Sequence, residues 1–158
     1  MTDMAQTAHS RVQPHAEAPL TVFVTGGSGF LGRRLIPALI STGHRVTAMA
    51  RSDESSTVVG RLGATAVRCD LSDSSAVLTA EIQGCDMVVH AAGRFRTSGG
   101  HAAYLRDNVA GTEKLMAAAE SAGVGRFVYV GAAGCLVGGR PVLDADESWP
   151  IDSAKRDK

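Results

Sequence analysis

The sequence predicts a doubly wound α/β fold with a parallel sheet of about five strands. Three observations carry that expectation. Short β-rich runs alternate with longer helical ones along most of the chain. The strand runs are apolar rather than alternating, as expected of parallel strands covered on both faces. A glycine-rich stretch stands directly between the first strand and the first helix.

Residues 1–19 (MTDMAQTAHSRVQPHAEAP) lack hydrophobic periodicity and contain two Pro, which predicts a disordered leader with His9 and His15 in solvent. From Leu20 the runs are LTVFVT (strand), FLGRRLIPALISTG (helix), RVTAMA (strand), SSTVVGRLG (short helix) and TAVRC (strand). SSAVLTAEIQG (helix), DMVVHAA (strand), AYLRDNVAGTEKLMAAAESAG (long helix) and RFVYVGAA (strand) follow. Gly43, Gly84 and Gly123 read as stops after the first, third and long helices, and Ser72 or Asp73 as the cap of the third. Pro37 removes a hydrogen bond inside the first helix, which predicts a kink or a later start. Residues 20–133 are therefore expected to form one domain, with 134–158 as a loop-like segment of it.

The chain of 158 residues is long enough for one core and too short for two comfortable domains. Sixteen Lys and Arg balance sixteen Asp and Glu, which excludes a generic binder of nucleic acid or anionic membrane. Cys69, Cys85 and Cys135 have no C-x-x-C spacing and read as small packing residues. No signal peptide and no apolar run of about twenty residues is present, so a cytoplasmic location is expected.

Function is written most clearly in Thr25-Gly26-Gly27-Ser28-Gly29-Phe30-Leu31-Gly32. Glycine allows the tight turn, the bare Gly29 admits a pyrophosphate, and Gly32 lets helix and strand approach. The helix start then offers unpaired N–H groups to the phosphates. At the end of the second strand stands Arg51, whose guanidinium suits a 2′-phosphate, so NADP(H) is favoured over NAD(H). A solvated Arg51 is the plain alternative, and Asp53 or Glu54 would serve a free ribose hydroxyl if the strand ran longer.

These segments, in this order, resemble the extended short-chain dehydrogenase/reductase family of epimerases, dehydratases and reductases. TGGSGFLG resembles its TGxxGxxG loop, and Cys69-Asp70-Leu71 the segment whose Asp contacts the adenine amino group. Val89-His90-Ala91-Ala92-Gly93 resembles the strand end beside the nicotinamide ribose and pyrophosphate, and Asn108-Val109-Ala110-Gly111-Thr112 the NVxGT stretch whose Asn supports the active site. The resemblance implies a Rossmann-type fold and cofactor contacts from Gly26, Gly29, Phe30, Leu31, Gly32, Arg51, Asp70, Leu71, Ala91, Ala92, Gly93 and Asn108. Asp70 also reads as a turn cap, and His90 as a hydrogen-bonded structural histidine.

The family's catalytic Tyr-x-x-x-Lys pair has no counterpart here. Four residues after Tyr104 and Tyr129 stand Asn108 and Ala133, so Tyr129 reads as strand packing and Tyr104 as a contact at the helix start. Gly131, Ala132 and Ala133 occupy the place of the assisting hydroxyls, and Cys135 is a poor substitute. Asp146-Glu147-Ser148-Trp149-Pro150 resembles the DESxP segment that precedes the Tyr-bearing helix, and the sequence given ends about where that helix is expected. The expectation is a cofactor-binding portion of an oxidoreductase or epimerase, without its own catalytic pair and with apolar surface free for self-association. A small-molecule substrate is expected only with the C-terminal part. The alternative is a non-enzymatic NADP(H)-binding sensor or partner module.

Overall fold

The computed structural model describes residues 18–94, 100–132, 143 and 145–149. Strands β1 (Thr21–Thr25), β2 (Arg45–Met49), β3 (Thr65–Val67), β4 (Met87–His90) and β5 (Arg126–Tyr129) form one sheet in the order β3-β2-β1-β4-β5. Every pairing is parallel. Five strands and this winding agree with the sequence expectation.

Side-chain alternation sorts the core into two layers. Val22 and Val24 of β1 join Val46, Ala48, Met87 and Val89 on one face, beneath α1 (Gly32–Ser41) and α2 (Asp53–Arg61). Phe23 and Val88 point the other way, against Leu78 and Ile82 of α3 (Ser75–Ile82) and Leu115, Ala118 and Ala119 of α5 (Gly111–Ser121). The expectation that all strands are covered on both faces holds for β1 and β4 alone. The rim strands β3 and β5 are largely exposed, with Val67 and Phe127 partly buried against the layer of α3 and α5.

The glycine stops are where the sequence put them: Gly43, Gly84 and Gly123 take φ of 91°, 77° and 73° just past α1, α3 and α5. The cap of α3 is neither Ser72 nor Asp73. Those two are drawn into a turn with Asp70, and Ser74 caps instead, its hydroxyl accepting from Val77 N–H at 3.3 Å. Pro37 lies inside α1, on its exposed side, and the helix is continuous from Gly32, two residues later than the run that begins at Phe30.

The long helix departs most from its expected form. It begins with α4 (Gly100–Leu105), continues as a π-helical turn over Arg106–Ala110, and resumes as α5. Tyr104 consequently lies near the end of α4 rather than at a helix start. Residues 18 and 19 of the expected leader are irregular and exposed. His9, His15, Ala133, Cys135, Pro150 and most of segment 134–158 lie outside the described residues.

Candidate functional site

The C-terminal ends of β1, β2 and β4 open onto a cleft of about 990 Å³. It lies where the strand order reverses, between β1 and β4. Of the residues singled out in the sequence, Gly26, Gly29, Arg51, Asp70, Leu71, Ala91, Ala92 and Gly93 line it. Phe30, 95% exposed, and Leu31 and Gly32 do not. Asn108 also stands outside the lining, although its neighbour Asp107 belongs to it.

Backbone contacts shape the glycine loop. Gly26 has φ of 71°, and a Cβ there would lie 2.7 Å from Ala91 C and O and from Ala92 N. A Cβ on Gly32 would lie 2.5 Å from Gly27 Cα and closer still to the Gly26 carbonyl oxygen. Gly32 therefore acts by letting α1 pack onto the loop. At Gly29 a Cβ would meet only Gly26 O, at 3.1 Å, so the rest of its surroundings is open. The first turn of α1 has neither an acidic residue nor a side-chain cap; the N–H groups of Arg33, Arg34 and Leu35 already donate to Gly29 O and Leu31 O, so what the helix start offers an anion is chiefly its partial positive charge.

His90 is buried behind this loop. Thr25 Oγ1 lies 2.6 Å from His90 Nδ1, and Thr112 Oγ1 lies 2.9 Å from Nε2. The Thr112 hydroxyl donates to Asn108 O at 2.8 Å, so it accepts from an Nε2–H. The Thr25 hydroxyl is then the donor to Nδ1, while its oxygen accepts from Ala92 N–H at 3.1 Å. With Nδ1 as the acceptor the ring is neutral, the form that its burial favours. Burial pushes its pKa down to about 4. The structural role expected for His90 holds. Tyr129 touches the edge of this network, its ring centroid 5.7 Å from that of His90, but it is more than half exposed rather than packed into the core.

β2 ends at Met49, and Arg51 follows without a hydrogen bond or ion pair to any described residue. Asp53 and Glu54 are already in the first turn of α2, capped by Ser52, and Asp53 pairs with Arg68 on the surface. Neither acid lines the cleft, because the strand ends at Met49, one residue before the expected Ala50, and does not run on toward them. Asp70 closes a turn, its Oδ1 accepting from Ser72 N–H at 2.8 Å, while it also faces the cleft. Both readings of Asp70 thus fit one geometry.

Sequence reasoning missed the charged wall contributed by the π-helical turn. Arg94 donates through Nε and Nη2 to Asp107 Oδ2 at 2.7 and 2.6 Å, and Arg106 reaches Oδ1 at 2.9 Å. The hydrogen bond from Arg94 is the main reason the Asp107 carboxyl is held below its ordinary range. Asn108 clamps the Arg94 backbone, accepting from its N–H at 2.6 Å and donating to its carbonyl at 2.9 Å. The partners are 13 or 14 residues apart across β4 and the helix, a distance no local pattern reports. Lys114 is a further cation on the lining.

Cys69 and Cys85 are buried thiols, as expected of packing residues. Burial pushes Cys69 up to about 12 and raises Cys85 as well, so neither is a nucleophile near neutral pH. Among the described residues no group of three His, Cys, Asp or Glu is placed to hold a metal, and no helix is long and apolar enough to cross a membrane.

The model of the NAD dependent epimerase/dehydratase family matches residues 22–154. The chain belongs to this family. Within it, this epimerase/dehydratase-family chain is 41% identical over 132 residues to a 4-hydroxy-2-methyl-3-oxo-4-farnesyl-3,4-dihydroquinoline-1-oxide ketoreductase of Stigmatella aurantiaca, covering 84% of this chain and 39% of that one. It is 38% identical over 133 residues to a decarboxylating sterol-4-alpha-carboxylate 3-dehydrogenase of Dictyostelium discoideum, covering 82% and 40%. Among solved structures it resembles a short-chain dehydrogenase/reductase superfamily protein from Agrobacterium tumefaciens with bound NAD, at TM-score 0.67 and 28% identity over 83% of this chain and 38% of that one. A UDP-glucose-4-epimerase from Stenotrophomonas maltophila with bound NAD gives TM-score 0.67 and 27% identity, over 74% and 38%. The chain thus spans about two fifths of the length of the relatives it matches.

Proposed function

We propose that this chain is the cofactor-binding portion of an NADP(H)-preferring oxidoreductase of the extended short-chain dehydrogenase type. The pyrophosphate lies over Gly26 and Gly29 at the start of α1, and Asp70 and Leu71 receive the adenine. Ala91–Gly93 flank the nicotinamide-side ribose. Arg51 pairs with the 2′-phosphate. What carries this reading is the convergence of these residues on one cleft at the strand ends, with a guanidinium at its β2 rim that has no partner among the described residues.

Asn108 serves as a positioning residue, through its clamp on Arg94. Bound cofactor supplies the hydride chemistry, and this chain's part is to hold and orient it. The chain's two tyrosines lack a Lys four residues on, so the proton-exchanging pair of the family comes from elsewhere in a longer protein. The ketoreductase and dehydrogenase relatives suggest that such a protein interconverts a ketone and a secondary alcohol. We place it in the cytoplasm. Residues 20–133 are taken as the binding domain, with 134–158 as its irregular extension.

Calorimetric titration of the purified chain with NADPH and NADH tests the proposal. Tighter binding of NADPH, without oxidation when candidate ketones are added, is the expected result. Failure to bind either dinucleotide overturns the cofactor assignment, and robust NADPH oxidation by the chain alone overturns the division of labour. Equal affinity for the two rejects the role of Arg51.

A further inference from the structure

Lys114 stands one helical turn after Gly111 on α5, so both project toward the same neighbour. That neighbour is the turn over residues 70–73. A Cβ on Gly111 would lie 3.2 Å from Leu71 Cβ, so the helix and the turn are in close contact. The Lys114 ammonium donates to the carbonyls of Asp73 at 2.8 Å and Ser72 at 3.1 Å. The turn is closed on itself as well: Asp73 Oδ2 accepts from Asp70 N–H at 2.8 Å, and Asp73 N–H donates to Asp70 O at 3.0 Å. Asp70 Oδ1 is occupied by Ser72 N–H, which leaves Oδ2 without a hydrogen bond among the described residues.

We propose that Lys114 is a positioning residue for the adenine end of the dinucleotide, acting through the Ser72 and Asp73 carbonyls on the turn that aims Asp70. The inference rests on the cofactor assignment above. An ammonium shared by two carbonyls fixes the turn relative to α5, and the α5 side of the turn carries Leu71 against Gly111. With the turn fixed, the free Asp70 oxygen is held toward the cleft, where it accepts from the adenine 6-amino group. Without the ammonium the turn keeps its internal bonds but loses its anchor to the helix, and part of the binding free energy is spent on ordering it.

The test compares NADPH with its hypoxanthine counterpart, which has a carbonyl in place of the 6-amino donor, by calorimetric titration of the full 158-residue chain. For NADPH, Lys114→Met is expected to weaken binding about fivefold to tenfold. For the hypoxanthine analogue the loss is less than about twofold, because the contact served by the turn is already absent. Lys114→Arg, which keeps a charged donor, recovers NADPH binding to within about twofold. Equal losses for both ligands would mean that the ammonium acts through its charge on the phosphates, and would overturn the proposal. So would an unchanged NADPH affinity. Should Lys114→Met lose its far-UV circular dichroism, Lys114→Gln is read in the same pair of titrations. Wild-type chain that binds neither ligand overturns the cofactor assignment itself, a result distinct from wild type that binds and a variant that behaves alike.

Discussion

At Gly26 the wall of the cleft is backbone packed on backbone, as is the seat of Gly32 behind it, whereas Arg51, Arg94, Arg106 and Lys114 bring long polar side chains to the other end. At the first end an added methyl group meets main-chain atoms of Ala91, Ala92 or Gly27 that have nowhere to go. At the second, Arg51 is exposed, and Lys114 reaches two carbonyls across a gap between elements. The contrast teaches that one end is all-or-none in its tolerance of substitution, while the other is graded. It also separates what forms the site from what tunes its choice of ligand.

The largest effect is expected at the backbone end. Gly32→Ala sets a Cβ against Gly27 Cα and the Gly26 carbonyl, and should cost about 3 kcal/mol or more of stability together with dinucleotide binding. Urea unfolding of the variant measures it; a change below about 1 kcal/mol would show that the loop yields where the contrast says it cannot.

Next comes the hydrogen-bonded chain behind the loop. His90 is neutral in the fold with its pKa at about 4, against 6.5 for an unperturbed imidazole. Between those values the unfolded chain binds more protons than the folded one, so stability is complete above about pH 6.5 and falls as the pH drops toward 4. The loss reaches about 3 kcal/mol at the lower end. Denaturant midpoints at several pH values follow it. A level profile in wild type would break the assignment of a neutral, doubly bonded His90.

At the side-chain end, Arg51→Ala is expected to weaken NADPH binding by about 1–3 kcal/mol, with a smaller effect on NADH. Equal losses would place the guanidinium on some group common to both cofactors. The smallest effect is expected at Asp53, whose pair with Arg68 is exposed on both sides. Asp53→Ala should change stability by less than about 1 kcal/mol and leave the NADPH-to-NADH ratio unaltered. A switch in that ratio would sharpen the contrast differently, by bringing Asp53 back to the ribose.

The exposed β5 edge adds a second contrast, with the buried β1 and β4. Val128, Tyr129 and Val130 are at least 39% exposed, as are Leu105, Val109 and Met116 on the helical side. The apolar pattern that made β5 read as a covered strand is present in its residues, but among the described residues only its Phe127 packs, partly buried, against the layer of α3 and α5.

Much of the fold was legible because its signals are local. Short runs rich in Val, Thr and Phe mark strands, Gly43, Gly84 and Gly123 mark helix ends, and the glycine spacing after β1 announces a phosphate loop. Other features were not legible because they depend on which distant groups meet. Ser74 took the cap of α3 because Asp70 had already engaged Ser72 and Asp73 in its own turn. The π-helical turn lies where Asn108 and Asp107 grip Arg94 from across the cleft wall. By itself, then, the sequence determined the order of elements, the parallel winding and the glycine loop, all of which follow from short-range sterics and hydrophobic pattern. Tertiary structure alone decided that Arg94, Asp107 and Lys114 belong to the same cleft as Gly26, and that His90 is locked neutral between Thr25 and Thr112. Hydrogen bonds between elements depend on three-dimensional proximity, and residue spacing along the chain carries no record of it.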